Sequence, residues 1–221
     1  GWFHGYDDDH GAALEGIRGG RAHMRLTGQV FSLMNATATK EQAQKIIRSA
    51  EGHLFDASCG GYRLNTDFGE IKTDMGRMFG FAYGEKENGA VFSHMAVMYA
   101  NALYTRGFAR EGYKALQALY RQAMDPAKSR IYPGIPEYFG HGGSGLYHYL
   151  TGAASWYMLT VVTGAFGVRV SYGDLLVEPM LVKEQFSEER LATIQLKFRG
   201  KTIQLQYVNA DRLDYGEYHL Q

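Results

Sequence analysis

The spacing of apolar residues changes its period once along this chain. Up to about residue 165 the repeat is helical. Thr39-Lys40-Glu41-Gln42 sets a hydroxyl N-cap three positions before a glutamine, the capping-box arrangement, and Ala43, Ile46, Ile47, Ala50 and Leu54 then fall on one face. Gln29 to Ala36 predicts a shorter helix. Two more are predicted over 92–106 and 109–124, separated by Gly107, with Tyr113, Leu116, Leu119 and Tyr120 at 3/4 spacing in the second. The most apolar helix is predicted over 153–165, ending near Gly164 or Gly167. After Gly173 the alternation is strict. Thr193–Phe198 and Thr202–Tyr207 predict a β-hairpin with one wet face, joined by Arg199-Gly200-Lys201. Residues 1–28 carry no helical period and are expected to be loop, as are the glycine-rich stretches 56–90 and 125–150. Connections of that length in compact domains are usually functional. The order is helical pairs with long loops, then strands. A two-stranded ribbon is not stable alone, so the strands should join a larger sheet or pack on the helices.

Composition narrows the function classes. A chain of 221 residues suffices for one large domain, or one domain with part of another. Its 23 basic residues balance 23 acidic ones without blocks of like charge, which argues against nucleic acid as a partner. Cys59 is the single cysteine, so the sequence offers no disulfide framework or multi-cysteine metal site, and a reducing cytoplasm is expected. No apolar run approaches about 20 residues, so no membrane-spanning helix is expected, and the N-terminus lacks a signal-peptide pattern. Gly1 is not a start methionine, so a processed product or part of a longer protein is expected. The 16 tyrosines and 28 glycines would suit a carbohydrate cleft, where rings pack on sugar C–H faces. They suit an ordinary core with long loops better.

Two polar helix starts carry the candidate chemistry. Lys86-Glu87-Asn88-Gly89-Ala90-Val91-Phe92-Ser93-His94 runs into one predicted helix, and Tyr149-Leu150-Thr151-Gly152-Ala153-Ala154-Ser155-Trp156 into another. A helix start presents unpaired N–H groups and the positive end of the peptide dipoles, so two of them could hold a phosphate beside a polar substrate. Thr151 can cap its helix, and Gly152 can bring its backbone close to an oxyanion. Asp7-Asp8-Asp9-His10 is better explained as a solvated loop or a cap than as a metal cluster. Cys59 lacks an organised partner that would make it a nucleophile.

GEKENGAVFSH (84–94), YPGIPEYF (132–139), YLTGAASW (149–156) and GDLLVEPMLVKEQF (173–186), in this order, resemble glycoside hydrolase family 94, the cellobiose, cellodextrin and 1,2-β-oligoglucan phosphorylases. The resemblance covers nearly the whole chain. It implies a mainly α architecture: the C-terminal part of an (α/α)6 barrel over 1–172, then strands of a C-terminal β-sheet domain, jelly-roll-like, over 173–221. Such enzymes let inorganic phosphate attack the anomeric carbon directly, with inversion and release of an α-sugar 1-phosphate, while an Asp protonates the leaving oxygen. By position His94, Thr151 and Gly152 match phosphate-binding residues. Glu87 matches the carboxylate that binds the transferred sugar, Lys86 the neighbouring lysine on the acceptor side, and Glu137 a further sugar contact. The oligoglucan-acting members (cellodextrin or β-1,2-glucan) look nearest. The general acid, in an Asp-Trp-Asn-Asp-like motif, and a phosphate-contacting arginine are expected upstream of Gly1, so the chain alone is expected to be inactive. The implied ligands are a β-linked gluco-oligosaccharide and phosphate, with no metal or other cofactor; the implied partners are the rest of the barrel and, as the family suggests, a second subunit. Two alternatives stay open: an (α/α)6 hydrolase or lyase, and a non-catalytic module.

Overall fold

The computed structural model describes residues 1–69, 71, 75–132, 134–148 and 151–218. In chain order the elements are β1 (Gly16–Arg18), β2 (Arg21–His23), α1 (Leu26–Met34), α2 (Lys40–His53), β3 (Phe55–Asp56), β4 (Gly61–Tyr62), β5 (Val91–Phe92), α3 (Ser93–Thr105), α4 (Ala109–Ala123) and the single turn α5 (Pro126–Ser129). They continue with β6 (Tyr138–Phe139), β7 (Gly145–Leu146), α6 (Ala153–Thr160), β8 (Val168–Ser171), β9 (Asp174–Val177), β10 (Leu191–Phe198) and β11 (Lys201–Val208). The described residues thus form helices and small antiparallel sheets.

Helix α3 is the centre. It packs against α1, α4 and α6, and Val97, Tyr99, Ala100, Ala102, Leu103 and Tyr104 are all buried. Gly112 lets α4 approach α3 closely: a Cβ there would stand 2.8 Å from the Tyr104 ring of α3. Around it, α2 follows the sequence pattern closely. The Thr39 hydroxyl accepts the Gln42 N–H at 3.3 Å and the Gln42 side chain accepts the Thr39 N–H at 2.8 Å, while Ala43, Ile46, Ala50 and Leu54 are buried. In α4 Leu116 and Leu119 are buried as expected, but Tyr120 at the end of that face is half exposed.

The N-terminal stretch differs from the expected loop. Asp8 accepts the N–H groups of His10 and Ala12, closing a turn, and β1 pairs with β2 in a short hairpin. Helix α1 starts at Leu26, three residues earlier than predicted, because the Leu26 N–H is satisfied by the Leu64 carbonyl at 2.8 Å and not by a local side-chain cap. Between Gly5 and Arg25 sits Glu15, 6% exposed, with one carboxyl oxygen buried and unpartnered. Burial pushes its pKa from 4.5 up to about 7, against the pull of Arg25 and His4. The folded chain therefore holds this proton more tightly than the unfolded chain. Stability from this group is full below about pH 4.5 and falls as pH rises through about 7. Glu15→Gln, which cannot ionise, is expected to remove about 1–3 kcal/mol of that pH dependence, read as a smaller gap between denaturation midpoints at pH 5 and pH 8. An unchanged gap would assign the dependence to other groups.

Past α6 the chain makes one wider turn over Val161–Ala165, in which the Phe166 N–H bonds to the Val161 carbonyl five residues back. Gly167 follows in the left-handed region at φ +65°, packed directly on the backbone of Glu178 and Pro179. Strand structure then begins at Val168, before the sequence alternation does. In the long hairpin, Phe198 pairs with Lys201, so the turn is the two residues Arg199-Gly200, both at positive φ, and not three. The predicted alternation holds: Thr193, Gln195, Lys197, Gln204 and Gln206 are exposed, and Ile194, Leu196, Ile203, Leu205 and Tyr207 half buried. Among the described residues this sheet has two strands. It is tied to the helices through Tyr207, whose hydroxyl donates to the Phe166 carbonyl at 2.8 Å, and flanked by ion pairs of Arg110 with Glu184 and Asp214.

Candidate active site

The first candidate motif folds as a tight turn on the edge of a cavity of about 330 Å³. Within residues 84–89 the Asn88 N–H donates to the Glu85 carbonyl at 3.0 Å, and the Gly84 N–H to the Asn88 carbonyl at 2.7 Å. Lys86 at the tip takes φ +46°, a costly conformation for a side chain with a Cβ. Its ammonium stands 4.8 Å from the Phe81 ring centroid and 5.0 Å from that of Tyr147. Glu87 lines the cavity with Arg25, Arg77, Tyr6, Phe92 and Tyr138. One Glu87 oxygen accepts from Arg77 Nε at 2.8 Å, and the other is buried without a hydrogen-bond partner.

The chain then crosses a small sheet into α3. Phe92 pairs with Tyr138, and Tyr138 with Leu146. The Ser93 N–H, the first of the helix, donates to the Glu137 carbonyl at 2.9 Å. This brings the second motif, around Glu137 and Tyr138, beside the start of α3. Burial first, then the carboxylates of Glu87 and Glu137, push the Tyr138 hydroxyl up to about 12. The two acids therefore share one neighbourhood, with Arg77 opposing them electrostatically. Phe92 and Tyr138 stack at 4.9 Å between centroids.

His94 lies in the first turn of α3. Its ring is 6.1 Å from Phe92 and 5.6 Å from Trp156, and its Nε2 is buried with no partner. A Cβ on Gly152 would stand 3.2 Å from His94 Cε1, so the two helix starts singled out in the sequence meet here. The Thr151 hydroxyl accepts the Ala153 N–H at 3.0 Å in a turn just before α6. The cap position itself is Gly152, which makes no side-chain cap bond, so Thr151 stands one residue short of the expected cap. Tyr149 and Leu150 of that motif, and Pro133 of the second, lie outside the described residues.

The structure brings together the His94 ring and the Thr151-Gly152 start of α6, and sets Glu87 on the cavity wall; Lys86 at the tip of the turn and Glu137 beside the start of α3 do not line that cavity. It adds Arg77, Phe81, Tyr147 and Trp156, to which the sequence assigned no role. No regular spacing announces them, because they arrive from separate loops. Cys59 is 1% exposed, with its sulfur 2.9 Å from Arg63 Nη2. Asp7 pairs with His4 at 2.6 Å while Asp8 caps its turn, which accounts for two of the acidic run. Among the described residues no group of three or more His, Cys, Asp or Glu could hold a metal, and no helix is long and apolar enough to cross a membrane.

Comparison with known proteins gives a consistent set of matches. Residues 1–167 match the sequence model described as the Glycosyl hydrolase 94 superfamily, catalytic domain. The chain is 24% identical to a cellobionic acid phosphorylase of Neurospora crassa, covering 91% of this chain and 26% of that protein. It is 23% identical to a solabiose phosphorylase of Paenibacillus borealis, covering 97% and 28%. The chain thus spans about a quarter of the length of these curated relatives. A solved structure named as a sialidase superposes with a TM-score of 0.56 at 13% identity, over 93% of this chain and 20% of that one, a likeness of fold alone.

Proposed function

This chain belongs to the glycosyl hydrolase 94 superfamily, and from that membership we propose that it forms the phosphate-binding side and part of the sugar-binding side of an inverting glycoside phosphorylase. Its substrate is a β-linked gluco-oligosaccharide of the cellodextrin or β-1,2-glucan type. A phosphate oxygen bonds to the anomeric carbon as the glycosidic C–O bond breaks, and the leaving oxygen takes a proton from an acid outside these residues. The product is α-glucose 1-phosphate. His94 and the Thr151-Gly152 helix start hold phosphate, Glu87 accepts hydrogen bonds from hydroxyls of the transferred sugar, and Lys86 and Glu137 contact the glycan. Within this reading phosphate is a co-substrate and there is no resident metal or cofactor; the rest of an (α/α)6 barrel completes the cleft, and a cytoplasmic homodimer is the working form.

One observation carries the proposal. His94 Nε2 and a Glu87 oxygen are both buried without a protein partner, which costs free energy unless water or a polar ligand completes them. An imidazole suits phosphate, and a carboxylate suits sugar hydroxyls.

The test incubates the full-length protein with cello- and β-1,2-gluco-oligosaccharides, with and without phosphate. Phosphate-dependent release of α-glucose 1-phosphate is expected from at least one series. Equal cleavage without phosphate would indicate a hydrolase and overturn the proposal. No cleavage, with no calorimetric binding of phosphate, would favour the non-catalytic module.

A further inference from the structure

The turn bearing Lys86 and Glu87 is held by one buried amide. Asn65 is 1% exposed and lies on the wall of the same cavity. Its Oδ1 accepts the Gly89 N–H at 2.8 Å, and its Nδ2 donates to Asn88 Oδ1 at 3.0 Å and to the Thr66 carbonyl at 3.0 Å. Asn88 in turn donates to the Phe81 carbonyl at 2.9 Å, so its amide orientation is fixed from both sides. The backbone of Asn65 is anchored separately by bridging to Arg25. Asn65 therefore grips the two residues that directly follow Glu87, while its amide has no spare donor for a ligand. Lys86 keeps its positive φ only if something holds the turn's far end.

We propose that Asn65 is a positioning residue that sets the Glu87 carboxylate for the transferred sugar. The inference rests on the reading of Glu87 as a sugar ligand. Asn65 donates through Nδ2 and accepts through Oδ1, and both functions are used by the turn. Asn65→Asp keeps an acceptor for the Gly89 N–H but opposes Asn88 Oδ1 with a second acceptor, inside a buried site. Asn88 can answer only by turning its amide, which breaks its bond to Phe81. Glu87 moves with the turn in either case. A displaced turn reaches the chemistry as lost alignment of sugar and phosphate.

The test is a double-mutant cycle in the full-length protein, with Asn65→Asp, Glu87→Gln and their combination. Asn88→Ala serves as a second route to the same turn if Asn65→Asp folds poorly. Rates are taken per folded molecule, with folding checked by circular dichroism. Asn65→Asp is expected to lower kcat/KM for the glycan by about 10- to 100-fold while the KM for phosphate changes less than about 3-fold. In the Glu87→Gln background it should add less than about 2-fold, because the effect runs through Glu87. Multiplying losses, or equal loss towards glycan and phosphate, would show a general structural role and overturn the proposal. A damaging Glu87→Gln beside a silent Asn65→Asp and a silent Asn88→Ala overturns only the positioning role. A silent Glu87→Gln removes the assignment of Glu87 to the sugar, and this inference with it.

Discussion

His94→Ala in the full-length protein is expected to lower phosphate-dependent cleavage by roughly 10²- to 10³-fold, the scale seen when one preorganised donor to a developing charge is removed. The argument starts from an unmade bond. Nε2 is buried and unpartnered in the first turn of α3, at the positive end of the helix's peptide dipoles, which favours an anion. The ring is fixed by Phe92, Trp156 and the Gly152 backbone, which leaves it little room to find another partner. A ligand oxygen arriving here replaces water with a fixed donor. The loss should fall on kcat/KM for phosphate, with a smaller change in glycan KM. A change below about 3-fold would show that phosphate is held elsewhere. Because the ring is only partly buried, circular dichroism should report a folded variant.

The largest stability effect is expected at the junction after α6. Gly167→Ala places a Cβ into the carbonyl of Glu178 and 2.7 Å from Pro179 N, at φ +65°. Both neighbours are backbone, so neither can swing aside. The Glu178 N–H donates to the Gly167 carbonyl at 2.9 Å and the Met180 N–H to that of Ala165, so relief of the overlap must break a ladder. Positive φ alone costs about 1 kcal/mol; with the overlap, about 3 kcal/mol or more is expected. Gly20→Ala is the comparison, since Gly20 also has positive φ but nothing within 4 Å. Denaturant titration of the two variants should separate them by about 2 kcal/mol or more. Equal midpoints would mean that the junction yields.

What the sequence made legible follows from local physics. The α2 capping box and its apolar face involve neighbours three and four apart, and both are present as predicted. The long hairpin was readable because one face is wet and the alternation unbroken. By contrast, β5, β6 and β7 are two residues each, too short for any period to register, yet they carry Glu137 and Tyr138 to the start of α3. The early start of α1 is equally silent, since its first N–H is met by Leu64 from a distant loop. In the site, the resemblance singled out Glu87, His94 and Gly152; in the structure Glu87 stands on a cavity wall, and His94 and Gly152 stand against one another. It could not anticipate the Arg77 pairing or the two rings around Lys86, which depend on how three irregular loops settle together.

The wide turn over Val161–Ala165 bears on how such chains can change length. It spends one residue more than an ordinary helical turn, and Phe166 directly after it contacts Tyr207. Removing or adding a residue here would rotate everything downstream by roughly 100° about the axis of α6. The start of α6, with Thr151 and Gly152, would stay where it is. Insertions and deletions between α6 and the strands therefore leave the start of this helix in place and decide whether the strands dock at all.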